Sequence, residues 1–313
     1  MNEPPPKNGK PGINEALWMV IGAFLLLVVT LAVHHFYKPS GYAEELAGKT
    51  RRIELVDQIR LNLASATEAE KSAVMAITDQ DSQMFADQVG QYTAAAEQER
   101  KQLEQLLTSA GNAAERKLFS QFSQYFTEFQ RVDKELLDLA VKNTNLKASS
   151  LTFGPGLGQV HEIDDALSHL ATNNDVSVLR PADDVRIAVW QLEATLPRHI
   201  AEESDQKMDE MEAQMAREDQ TVRSSLAELA SLPNLAGNPD LKTAMTVYDE
   251  FTRTKAQILK LSRENTNVRS LTLSLTQKRK VTLLCQDDLA ALQQAIENEH
   301  IVGETLGGSA LPR

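Results

Sequence analysis

The sequence predicts an all-α protein in which an N-terminal transmembrane helix leads into a duplicated antiparallel helical bundle. Three observations carry this. One uncharged apolar run lies near the N-terminus, and the remainder is poor in aromatics (5%) with apolar residues at helical spacing. The third is an internal repeat at an offset of 122 residues.

The apolar run extends from Ala16 to Val33, eighteen residues without a charge. At roughly 1.5 Å per residue it is about 27 Å long, close to the thickness of a hydrocarbon core. Trp18 near one end and Phe36 with Tyr37 near the other stand where amphipathic rings favour the headgroups, and Pro39, Ser40 and Gly41 then break the helix. A membrane helix over 16–37 is therefore expected, with a Pro-rich cytoplasmic tail over 1–15. A cleaved signal peptide is the rival. Against it, the run is longer than a usual signal core, and His34, His35, Phe36 and Tyr37 replace the small residues of a cleavage site. Flanking charge, Lys7 and Lys10 against Lys38, Lys49, Arg51 and Arg52, slightly favours a cytoplasmic C-terminus, but long domains translocate regardless of it.

Of 32 basic and 44 acidic residues, three basic and two acidic lie in the first 41, so the rest carries a net charge of −13. That repels phosphate backbones and argues against nucleic acid as a partner. Cys285 is the single cysteine, which excludes an internal disulfide and a CxxC metal knuckle.

From Tyr42 to Thr108 no proline occurs, and Ile53, Val56, Ile59 and Leu63 recur at helical spacing. The polar segment 78–82 offers N-cap residues for a second helix, which ends near 109–112. A third helix carries Phe119, Phe122, Phe126 and Phe129, a core stripe. Gly154, Pro155 and Gly156 are expected to break it before a short helix with Ile163, Leu167 and Leu170, and a linker follows at 173–175. Asp183 to Leu232 reads as helix with core Met208, Met211 and Met215. Residues 232–239 form a turn, and a last pair of helices runs from about Asp240 to Glu299. The expected units are thus a first repeat over 42–174, a second over 181–300, and a loose tail over 301–313.

Between 128–152 and 250–274, nine of 25 positions are identical, including Phe129/Phe251, Arg131/Arg253, Asn143/Asn265, Thr144/Thr266 and Asn145/Asn267. Amphipathic helices commonly repeat leucines. They do not ordinarily repeat Asn-Thr-Asn, because these side chains compete for backbone hydrogen bonds. Each copy could close its own four-helix bundle, or the two could pair as one elongated, coiled-coil-like bundle.

A membrane helix leading into such a bundle, with the segments LAVKNTNLKASSLTFGP (139–155) and RENTNVRSLTLSL (263–275), resembles the four-helix-bundle sensory domain of bacterial methyl-accepting chemotaxis receptors, here in tandem. The resemblance covers most of residues 15–300. It implies an inner-membrane, single-pass protein with its C-terminal domain in the periplasm, reading a small-molecule ligand or a binding protein by a small helix displacement. Those receptors return through a second membrane helix to a signalling region. No second apolar run follows here, so the expectation is signal transduction through a protein partner, as a homodimer or hetero-oligomer. The alternative is a scaffold subunit of an envelope complex. Family ligand contacts include arginines of the first helix; Arg51, Arg52 and Arg60 are available but unassigned.

The amides of Asn143, Asn145, Asn265 and Asn267 could line a ligand cleft, or satisfy backbone at a kink and fix bundle register. His161 and His169, two turns apart with Asp164 and Asp165 between, read as solvated helix face in preference to a metal site. No nucleophile elbow, phosphate loop or HExxH occurs, and the acidic pairs Glu202/Glu203 and Asp287/Asp288 read as exposed helix charge. No enzyme, cofactor or metal is expected.

Overall fold

The computed structural model describes residues 13–36, 40–170 and 175–300, and among these every regular element is helical. Helix α1 is Ile13–Phe36 and α2 is Ser40–Met75. Thr78 caps α3 (Asp79–Ala110) by accepting from Asp81 N–H, and Asn112 caps α4 (Ala113–Ala140) by accepting from Ala114 and Glu115 N–H. The expected start of the second helix is therefore borne out by the geometry that makes Thr and Asn good caps. After α4 come α5 (Thr144–Leu151), a π-helical turn (Thr152–Gly156) and α6 (Leu157–Leu170).

The Gly-Pro-Gly segment does not break the helix. Pro155 has no N–H to donate, the turn widens, and Leu157 N–H reaches back to Thr152 O in a five-residue step. A second π-turn, Ser274–Lys278, occupies the equivalent positions of the other repeat without a proline.

Helix α7 is Val176–Ala201. The single helix expected from Asp183 to Leu232 is two. Ser204 caps α8 (Asp205–Ser231), while the Glu202 carboxylate accepts from the N–H groups of Glu203 and Ser204, which ends α7. Glu202 and Glu203 therefore belong to a turn, not a helix face. A short 3₁₀ turn and Asn238, which caps α9 (Pro239–Glu264), make the expected turn near 232–239. Then come α10 (Thr266–Leu273), the second π-turn and α11 (Arg279–Glu297).

These helices form two bundles, and the bundles do not coincide with the repeats. In the first, α11 packs against α2 and α4, so Val281, Cys285, Leu289, Leu292 and Ile296 share a core with the Phe119–Phe129 stripe. In the second, α6 packs against α7 and α9, with Val160, Ile163 and Leu167 beside Val189, Leu192 and Phe251. Each repeat thus lends its fourth helix to the other. The phenylalanine rings follow one another at 5.6–6.2 Å between centroids, and Met208, Met211 and Met215 are buried, as their spacing requires.

The α2–α3 and α7–α8 turns meet at the junction of the bundles, where Asn143 donates to Asp79 and Asn265 to Glu202 O. At the opposite end of the first bundle, Arg52 bonds both Glu115 and Glu299, and Lys49 donates to the carbonyls of Glu297 and Glu299. The end of α11 is therefore held to α2 at Lys49 and Arg52.

The expected ends of the membrane helix, Ala16 and Val33, lie inside α1, but their side chains fall outside the description. Among the residues described in full, no helix is long and apolar enough to cross a membrane. The side chains of α1 that are described, among them Trp18, Phe24, Leu25, Leu26 and Leu27, are exposed. Residues 1–12 and 301–313, expected as tails, Tyr37 and Pro39 at the expected break, and most of the 173–175 linker lie outside the described residues.

Candidate functional site

Both Asn-Thr-Asn motifs stand at the junction, face to face across a local two-fold relation. Thr144 N–H donates to Thr266 Oγ1 and Thr266 N–H to Thr144 Oγ1, at 3.2 and 3.1 Å. Asn145 N–H donates to Asn267 Oδ1 and Asn267 N–H to Asn145 Oδ1, both at 3.1 Å. These side chains cap the first turns of α5 and α10 reciprocally, each helix supplying the other's cap.

The remaining amide groups close the network. Asn145 Nδ2 donates to Ile200 O and Asn265 Oδ1, and Asn267 Nδ2 donates to Asn143 Oδ1. Asn143 and Asn265 take the left-handed conformation, with φ of 51° and 52°, where an asparagine is among the least strained non-glycine residues. The structure thus brings all four sequence-singled asparagines together, with their amides turned on one another. Of their two readings, the register-fixing one describes this geometry.

Beside the junction, the first bundle buries a charged cluster that the sequence reading missed. Lys278, 1% exposed, ends the second π-turn; its ammonium pairs with Asp133 of α4 and lies 2.9 Å from the Phe129 ring centroid. Glu70 of α2, fully buried, is close enough to act electrostatically on both. Burial pushes Glu70 and Asp133 above the usual carboxylate range, with Lys278 drawing each back. Burial also pushes Lys278 down to about 8, against the pull of Asp133 and Glu70.

The second bundle holds a carboxyl without such a counter-ion. Glu193 of α7 is 6% exposed, and burial alone pushes it up to about 7. It faces Gly156, the position equivalent to Lys278. A sequence signal existed for these residues. Glu70 follows Ala66 and Ala69, Asp133 follows Phe129 and Val132, and Glu193 follows Val189 and Leu192, each on the apolar face of its helix.

Other singled-out residues are dispersed. His161 packs edge-on against Trp190, and His169 lies 3.8 Å from Asp240 on another helix. Among the described residues no group of three metal-ligating side chains occurs. Arg51 bonds Glu54 and Gln102, and Arg60 bonds Gln293, while Arg52 is buried at the end of the first bundle. Cys285 is buried, and burial pushes its thiol up to about 12, which makes it inert. No protein-family model, no curated protein and no solved structure matches the chain.

Proposed function

We propose that the chain is a membrane-anchored, extracytoplasmic sensory or binding module that works through a protein partner. One observation carries the reading: two segments, α4 to α6 and α9 to α11, cross from one bundle to the other through a single hydrogen-bonded junction. A change of packing in the second bundle would reach α11, whose end is tied to α2 at Lys49 and Arg52. Close-packed cores shift between discrete arrangements and do not deform continuously, so such a path suits transmission of a small displacement. The uncharged stretch inside α1 supports the anchor.

A scaffold role in an envelope complex is the second reading. It is favoured by large apolar side chains exposed on and near the junction turns, Ile77 at 79%, Met75 at 71% and Phe153 at 62%.

Topology is tested in intact cells with a membrane-impermeant maleimide and a cysteine at exposed Ser150, since Cys285 is buried. Labelling without permeabilisation is the expected result, and protection until lysis refutes the extracytoplasmic reading. Thermal stabilisation of the solubilised protein by a metabolite fraction supports sensing. A stable co-purifying protein with no such stabilisation supports the scaffold.

A further inference from the structure

We infer that a second copy of this chain docks on the cleft beside the junction, inserting its α2–α3 turn at Ile77 among Glu135, Asp138 and Glu203. The inference goes beyond both readings above and needs neither of them, since it assumes no ligand and no direction across the membrane.

The cleft, of about 520 Å³, opens between α4, α10 and the α7–α8 turn. Its apolar part is Leu139 and Leu273, and it carries the carboxyls of Glu135, Asp138 and Glu203 against one cation, Arg269. Thr272 lies among them and donates to Glu203 at 2.9 Å. The occupant that fits is an apolar side chain flanked by positive charge.

The local two-fold relation carries these positions to the other side of the junction, where the chemistry is reversed. At the offset of 122 residues Asp138 becomes Lys260 and Glu135 becomes Gln257, while the leucines are kept as Leu261 and Leu151 and the cation as Lys147. Thr78 and Ser204 cap equivalent helices, so the residues before them match and Glu203 becomes Ile77. Ile77 is 79% exposed, and Lys147 is held beside its turn by an ion pair with Asp79 at 2.8 Å. Asp138 and Lys260 are both exposed, and neither makes a hydrogen bond or ion pair among the described residues.

One chain therefore offers both an acidic cleft with an apolar lining and an apolar knob near lysines, built on equivalent backbone. At a net charge of −12 two copies repel in most orientations, and this one sets lysines against carboxyls. That selects the contact. Because knob and cleft are different surfaces, it is heterologous and can run on from copy to copy.

The test mixes two detergent-solubilised full chains, one with Ile77→Cys and one with Thr272→Cys, under mild oxidation at about 50 mM salt, where surface charge is weakly screened. Cys285 is buried and stays out of the reaction. The mixture should give a disulfide-linked dimer, and neither chain alone should. Adding Lys260→Glu to the first chain, or Asp138→Lys to the second, should cut the yield about tenfold, because like charges then meet. Both changes together should restore it, since the signs are then opposed again. Both positions are exposed, and helical circular dichroism checks that each variant folds. No mixed dimer, an equal dimer from either chain alone, a yield indifferent to both charge changes, or no recovery when they are combined overturns the inference. The maleimide and thermal experiments can fail while this one succeeds, so the readings fall separately.

Discussion

Replacing Lys278 by Met removes the cation of the first bundle while keeping most of the side-chain volume. Lys278 is 1% exposed, and Asp133 and Glu70 around it are 4% and 0% exposed, so no water can take over. Breaking a buried ion pair by deleting one partner costs about 3–5 kcal/mol, because the other charge stays behind without compensation. Here two carboxyls stay behind, and the loss should fall at the upper end of that range. The penalty should also depend on pH. Both carboxyls have folded pKa values raised above their unfolded ones, so the folded state binds more protons than the unfolded state, and stability falls as pH rises from the unfolded values through the folded ones. With Lys278 gone, those values rise further. The variant should therefore be least impaired near pH 5 and most impaired at about pH 8. Urea denaturation of the full chain followed by helical circular dichroism measures this. Adding Asp133→Leu and Glu70→Leu should recover most of the loss, since a well-packed apolar group replaces a buried pair at little cost. A penalty under about 1 kcal/mol, or one that does not change with pH, would refute the account of the cluster.

Glu193→Gln should flatten the pH dependence of the second bundle. Raising a carboxyl from 4.5 to about 7 makes its ionisation cost about 3 kcal/mol, fully felt above the folded value and absent below the unfolded one. Wild type and variant with parallel stability profiles between about pH 5 and pH 8 would contradict this. Asn145→Ala strands Ile200 O, Asn265 Oδ1 and Asn267 N–H, and should cost about 3 kcal/mol in the same urea assay. Asn267→Ala, at a less buried position, should cost less, and equal losses would count against the junction as drawn. Asn265→Gly should be tolerated better than Asn265→Ala, because only the alanine pays for the left-handed φ of 52°; both variants lose the side-chain bonds, so the comparison isolates the backbone.

The helical class and the core stripes were legible because periodicity is local: Phe119 to Phe129 and Met208 to Met215 declare their buried faces within a few turns. Capping was equally legible at Thr78, whose side chain meets a donor three residues away. The break at Glu202–Ser204 was not. It depends on a carboxylate folding back on its own backbone within an otherwise helical pattern. Charges on apolar faces at Glu70, Asp133 and Glu193 were visible in the sequence, yet only three-dimensional packing shows which of them receives a lysine.

The sequence by itself determined that this chain is helical and duplicated, and that Asn-Thr-Asn is the mark of the duplication. Tertiary structure alone decided how the two copies meet. An identity at an offset of 122 residues says that two segments are alike, but not that they touch. The reciprocal bonds of Thr144 with Thr266 and Asn145 with Asn267 are contacts between residues distant in the chain. Likewise, the exchange of α6 and α11 between bundles follows from which apolar faces fit together, and periodicity within one helix carries no information about its neighbours.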